Sequence, residues 1–325
     1  MTSMSELRLP VDVGRVPPSV IPYAVGVVVA GCVLAMLLHP TLGLYVVEGI
    51  ALVTALAAAG LAIFAVLAPR DIAVRRWLRR PVIALALTAF AAVLLTLPFD
   101  VMVLADNGLR GLGNALARSV VLRSGQYETV VTRGVGLVLV VAGFRWHIKG
   151  VRWIAFAGAL LVVGSFALIG HARTEGPPAA AIATVLAHVG AASTWFGGLL
   201  GLQIALHHSR SDVVTSGRLL ARFAHVMEAV LALVVAAGVG LAILYLPTIG
   251  ALVHTTYGQV LLIKLAVLSA ILILSAANHL RLVDMARRGN VGAVRVLRTN
   301  IAAEQIGLLA VLAITAVLMR QDPRG

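Results

Sequence analysis

The sequence predicts an all-α polytopic membrane protein, a bundle of about nine transmembrane helices with eight as the lower count. The 325 residues are 60% hydrophobic and only 12% charged, whereas about a quarter of the residues of a soluble domain are charged. The apolar runs reach about 20 residues, which is the length that a helix needs to cross a bilayer. Barrel strands are excluded because they would alternate polar and apolar residues.

The predicted spans follow one another along the whole chain, and no connection is long enough to fold as a soluble domain. The longest connection, at about 100–129, carries leucine and valine at helical spacing with polar residues between them, which predicts an outer interfacial segment on the membrane surface. The fourth span is the shortest. The spans are predicted at 20–38, 44–67, 81–104, 130–144, 153–170, 179–206, 219–246, 257–280 and 300–318.

The formal charge of +13 reflects topology rather than nucleic-acid binding, because the basic residues lie in short segments between the apolar runs. With residues 1–17 as a cytoplasmic segment, most of the 26 Lys and Arg residues fall on the inner side. The positive-inside rule therefore predicts an N-in, C-out orientation. We expect a multi-pass protein of the bacterial inner membrane, surrounded by lipid.

Two histidines stand out in one polar interruption of the apolar sequence, which runs from His171 through Pro177-Pro178 into the helix that carries His188. An ionisable side chain within a span is costly unless it is paired or used. Imidazole binds copper and zinc well, and sulfur donors select Cu(I). His171 and His188 are therefore the main metal candidates. Met36, Met102 and Cys32 are possible sulfur donors, whereas an ordinary interfacial role is the simpler explanation for His39 and His254.

Polar residues also lie deeper within the C-terminal spans. Glu228 and Lys264 are predicted at similar levels, where a structural ion pair is the preferred interpretation. His225 and Glu304 share a level in the inner half, so a proton relay or a second metal station could form there. The small-residue face that contains Gly197 and Gly198, together with Trp195, is interpreted as a helix-packing surface.

No ATP-binding loop, dinucleotide fingerprint or HExxH zinc motif occurs in the sequence. The chain therefore offers no support for ATP-driven transport or zinc proteolysis, and we predict that it is not an enzyme. Any driving force would have to come from a gradient or from a partner.

Several motifs of the second half resemble the signatures of the CopD family of copper-resistance membrane proteins. They are Gly170-His171-Ala172, then His188-Val-Gly-Ala-Ala-Ser-Thr-Trp195-Phe-Gly-Gly198-Leu, Arg222-Phe-Ala, Thr256-Tyr257-Gly258-Gln-Val-Leu-Leu-Ile-Lys264, and Arg298-Thr-Asn-Ile-Ala-Ala-Glu304. On this resemblance, residues 18–147 are N-terminal transmembrane helices and residues 148–325 form a CopD-like transmembrane domain.

The resemblance implies transport of copper, as Cu(I) or Cu(II), across the bacterial inner membrane from the outer side toward the cytoplasm. It also implies a periplasmic copper-binding protein of the CopC type as partner. Two alternatives stay open. A cytochrome b-like redox protein would hold haem between helical histidines, although His188 and His225 differ by roughly 8 Å in predicted level. A scaffold that delivers copper for oxidase assembly would use the same metal residues without a path across the membrane.

Overall fold

The computed structural model of the protein is a bundle of α-helices. It describes residues 39–68, 74–146, 150–168, 178–209, 213–246, 248–278, 280 and 291–321. Within these ranges there are no β-strands, and two short 3-10 helices occur at Gly108–Gly113 and Ser165–Ala167. The α-helices of the described ranges are α1 (Pro40–Leu67), α2 (Val74–Ala105), α3 (Ala115–Leu122), α4 (Gly125–Arg145), α5 (Val151–Gly164), α6 (Pro178–His208), α7 (Val213–Tyr245), α8 (Ala251–His254), α9 (Thr256–Ala277) and α10 (Val291–Leu318).

Seven of the described helices are long and apolar enough to cross a membrane, and α5 with its following 3-10 turn is a shorter apolar helix. This confirms the predicted all-α polytopic membrane protein. The first predicted span, at 20–38, lies outside the described residues. The seven helices are α1, α2, α4, α6, α7, α9 and α10.

Several helices extend beyond the predicted spans, because hydropathy detects only the part of a helix that is apolar. Helix α2 begins at Val74 and contains Pro81, whereas the predicted span begins at that proline. Helix α4 begins at Gly125 and carries Glu128 in its first turn, where a negative charge interacts favourably with the helix dipole. The predicted interfacial segment at 100–129 contains the end of α2, the 3-10 helix, α3 and the start of α4.

Helix α1 lies at the centre of the bundle and packs on α2, α5, α6 and α10. It touches α6 most closely at Gly60 and Gly197, where a Cβ atom built on Gly60 would lie 1.9 Å from the carbonyl oxygen of Ser193. The Ser193 hydroxyl donates to the carbonyl oxygen of Leu56 at 2.9 Å. The two backbones can approach this far only because neither glycine carries a side chain.

The predicted packing face of α6 meets two different helices, α1 and α7. Gly198 faces the ring of Phe223 on α7, and Gly201 faces the ring of Phe64 on α1. Trp195 is only 2% exposed and belongs to the main hydrophobic core. These contacts place the glycines of α6 against the side chains of its neighbours.

We use the term outer end for the end of the bundle that contains Pro40, Ala105 and Leu318, which the charge pattern places outside, and inner end for the opposite one. At the inner end, three arginines donate to carbonyl oxygens in the last turns of neighbouring helices. Arg75 donates to Gly143 and Trp146 at the end of α4, Arg222 to Leu67 of α1, and Arg298 to Leu206 of α6. Cations are favourable at these positions because the last carbonyl groups of a helix carry partial negative charge. Two of the motif arginines, Arg222 and Arg298, therefore have a structural explanation.

At the outer end, Arg320 ties the end of α10 to α1 and α2. Its guanidinium donates to both carboxylate oxygens of Glu48, at 2.8 Å and 2.5 Å, and lies 3.9 Å from Asp100 Oδ1. The guanidinium carbon also lies 5.5 Å from the centre of the Tyr45 ring. Two carboxylates from different helices thus share one cation.

We expect Arg320→Met to lower the thermal stability of the purified protein, because Glu48 and Asp100 would face one another without the shared cation. In a double-mutant cycle with Glu48→Gln, the coupling should be on the order of 1 kcal/mol, given that the pair is partly exposed. Arg118→Met, at an exposed position on α3, is the control. Equal effects of the Arg320 and Arg118 changes would contradict the shared ion pair.

Candidate metal centre

His188 lies on α6, about 15 Å along the helix from its outer end, and its side chain is half-buried. The ring atom Nδ1 is 3.2 Å from the carbonyl oxygen of Val234 on α7. A carbonyl oxygen can only accept a hydrogen bond, so Nδ1 carries the proton in this contact. The neutral ring then has its lone pair on Nε2. This is the arrangement by which metal-binding histidines are commonly oriented, with one nitrogen on a backbone carbonyl and the other available to the metal.

Gly238 of α7 provides the space for this ring. A Cβ atom built at Gly238 would lie 3.3 Å from His188 Cε1 and 3.5 Å from Nδ1, so a larger residue would press on the imidazole. One turn earlier, α7 supplies the carbonyl group of Val234 that orients it. Helix α7 therefore sets both the position and the tautomer of His188.

Lys264 of α9 lies within electrostatic range of His188, and its side chain is half-buried. A positive charge near an imidazole disfavours a second cation on that imidazole. Glu228, the predicted ion-pair partner of Lys264, is exposed on α7 and has interactions of its own. The Glu228–Lys264 ion pair stays a prediction.

The other outer metal candidates are dispersed. His39 is exposed just before α1, and His254 is exposed at the end of α8. Met102 is 2% exposed in the core near the end of α2. His171 and Met36, like Cys32, lie outside the described residues. Among the residues that the structure describes, no group of three or more His, Cys, Asp or Glu side chains could hold a metal ion.

The predicted inner pair occupies two different environments. His225 is exposed on α7, whereas Glu304 of α10 is only 3% exposed. The Asn278 amide donates to Glu304 Oε1 at 2.5 Å, and the Asn300 amide donates to Asn278 Oδ1 at 2.5 Å. Glu304 thus belongs to a polar network between α9 and α10. A relay between His225 and Glu304 stays a prediction.

Asn278 and Asn300 could have been found from the sequence as amides next to apolar runs, yet nothing in their spacing indicates that they meet. The outer ionic group of Glu48, Asp100 and Arg320 was also missed, as was the buried Arg133. Glu48 and Arg133 lie inside predicted spans, which was the available signal. Arg133 is 9% exposed, donates to the Ser165 hydroxyl at 2.9 Å, and stacks its guanidinium 4.1 Å from the centre of the Phe166 ring.

Comparison with known proteins identifies a family for the C-terminal third of the chain. Residues 217–318 match the CopD family, described as Copper resistance protein D. The match begins near the start of α7 and ends with α10, so it includes Lys264, Asn278 and Glu304. The motifs around His171 and His188 precede it, and their resemblance stays a prediction. No curated protein and no solved structure matches the chain. The chain is thus a multi-pass helical membrane protein whose residues 217–318 match the CopD copper-resistance family.

Proposed function

We propose that the protein transports copper across the bacterial inner membrane, from the outer side toward the cytoplasm, and so contributes to copper homeostasis and resistance. The observation that carries this proposal is the contact between His188 Nδ1 and the Val234 carbonyl oxygen at 3.2 Å. Because the carbonyl oxygen can only accept a hydrogen bond, this contact favours the tautomer that leaves the Nε2 lone pair for a metal, about 15 Å along α6 from its outer end. The CopD match selects copper among the metals that imidazole binds.

In this proposal copper is the substrate, and His188 is one of its ligands within the membrane. His171, which precedes α6 in the sequence, is the proposed partner ligand at the outer side. A periplasmic protein of the CopC type would deliver the ion there. His225, exposed in the inner half of α7, is the next imidazole toward the cytoplasm.

Lys264 fits a site through which an ion passes rather than one that stores it. A transport site has to release its substrate, and a nearby ammonium group makes a bound cation less stable. The Lys264 charge is half-buried, so water and salt screen it less than they screen a surface charge. We therefore propose that the charge of Lys264 lowers the copper affinity of the site at His188.

Lys264→Gln is expected to tighten copper binding by roughly tenfold, because removal of one nearby positive charge relieves a repulsion on the order of 1 kcal/mol at an effective dielectric constant of about 20. Competition titration of the purified protein with a chromophoric copper chelator measures this change. Lys264→Arg keeps the charge and should leave the affinity near that of the wild type. Weaker binding in Lys264→Gln would show that the ammonium supports the site instead of opposing it.

Copper flux into proteoliposomes tests the transport proposal. Vesicles that enclose a copper-sensitive dye should show copper entry when the purified protein is present and none in its absence. Protein that binds copper with no flux would instead support the copper-delivery scaffold for oxidase assembly. The visible spectrum of the same preparation tests the haem alternative, since bound haem gives an intense Soret band.

A further inference from the structure

A carboxylate is buried between α9 and α10 within the apolar part of the bundle. Glu304 is 3% exposed and lies about 12 Å from the inner end of the apolar segment Val296–Leu318. A charged carboxylate at such a position is stable only with a compensating charge or with several hydrogen bonds. The identity of its neighbours therefore decides what it can bind.

In the part of the chain that the structure describes, the neighbours of Glu304 are neutral. Ser275 of α9 and Asn278, the residue directly after α9, form hydrogen bonds with the carboxylate. Helix α10 also packs on α1 and α6, and no charged group among the described residues of these elements acts on Glu304. Arg298, on α10 itself, donates to the Leu206 carbonyl group at the end of α6. Protonation is thus the direct way to remove the charge of Glu304 in this part of the structure.

The hydrogen-bond chain suits both protonation states. In the structure, the amides donate in sequence from Asn300 to Asn278 and from Asn278 to Glu304 Oε1, which satisfies a carboxylate. An amide side chain has a donor at one end and an acceptor at the other. When both amides turn over, Asn278 Oδ1 accepts from the protonated Glu304, and Asn278 Nδ2 donates to Asn300. One proton can therefore be taken up or released without leaving a buried polar group unsatisfied.

The same donor set is poorly suited to copper. It contains no sulfur and no imidazole, whereas copper prefers these ligands over carboxylate and amide oxygen. A hard cation would need several oxygen atoms directed at one point, yet the Asn278 amide nitrogen is directed at the carboxylate. The network therefore differs in chemistry from the imidazole site at His188.

We propose that Glu304, held by Asn278 and Ser275, is a proton-binding site of this protein. The carboxylate takes up one proton to become a neutral carboxylic acid, and the two amides reverse to accommodate it. The coupling of this proton to copper movement rests on the proposed function, whereas proton binding itself does not. A site of this kind would allow a proton gradient to drive transport.

Infrared difference spectroscopy of the purified, copper-free full-length protein tests the proposal. Spectra recorded between acidic and alkaline pH should contain the carbonyl stretch of a protonated carboxylic acid, and Glu304→Gln should remove it. Glu128→Gln, at an exposed position in the first turn of α4, should retain the band. A band that is identical in Glu304→Gln, or one that does not change with pH, would overturn the proposal.

A second variant covers the case in which Glu304→Gln does not fold. Asn278→Ser keeps the acid and removes the amide that donates to it, so it should shift both the frequency of the band and the pH at which it appears. An unchanged band in Asn278→Ser would overturn the proposed network. Because no copper is present, these outcomes are independent of whether the protein transports copper.

Discussion

Gly60→Ala is expected to destabilise the protein strongly, although it adds a single methyl group. That methyl carbon would lie 1.9 Å from the Ser193 carbonyl oxygen and 2.8 Å from Gly197 Cα, and both contacts are with backbone atoms that cannot rotate away. Overpacking of a core typically costs about 1–3 kcal/mol, and a backbone overlap falls at the upper end or beyond. Thermal unfolding followed by tryptophan fluorescence, together with the yield of monodisperse protein, measures the effect.

Gly49→Ala is the matched control, because Gly49 lies on the same helix and a Cβ atom there would have no neighbour within 4 Å. Alanine is favoured over glycine inside a helix by about 1 kcal/mol, so this change should leave the stability equal or slightly higher. Equal melting temperatures for the Gly60 and Gly49 variants would contradict the close crossing of α1 and α6.

His188→Ala is expected to weaken copper binding by more than about 100-fold. Loss of a residue that only hydrogen-bonds to a metal ligand commonly lowers metal affinity by about 10- to 100-fold. We propose that His188 binds the metal directly, so its loss should have a larger effect. Chelator competition on the purified protein provides the affinity. The thermal stability should change much less, because the half-buried ring has only one hydrogen bond described, with the Val234 carbonyl group.

His254→Ala is the control for this change, since His254 is exposed at the end of α8 and its interfacial role needs no metal. It should bind copper with wild-type affinity. A large loss of affinity in His254→Ala with little loss in His188→Ala would move the site to the membrane surface and refute the deep site.

Most of the fold could be predicted from the sequence because long apolar runs determine where helices cross a bilayer. The helix ends could not be predicted, since a polar turn can continue a helix beyond its apolar part. Asp100 shows the consequence: it falls both in the predicted span 81–104 and in the predicted outer segment 100–129, whereas the structure places it within the helix that ends at Ala105, with its carboxylate beside Arg320. Glu48 lay inside a predicted span, but its partner lies 272 residues away in the chain, and a single sequence carries no signal for that contact.

The candidate site was predictable only in part, for a similar reason. The cost of burying an ionisable group singles out His188 and Glu304, but it does not reveal what they contact. The Val234 carbonyl group, which sets the tautomer of His188, is a backbone group and has no side-chain signature. The amides of Asn278 and Asn300 become part of one network only when α9 and α10 pack together.

Copper K-edge X-ray absorption of the copper-loaded protein tests most directly whether His188 binds the metal. Imidazole ligands produce a characteristic multiple-scattering pattern from the outer ring atoms. We expect this pattern in the wild-type protein and in His254→Ala, and a smaller number of imidazole ligands per copper in His188→Ala. Identical spectra for the wild type and His188→Ala would contradict a copper site at His188.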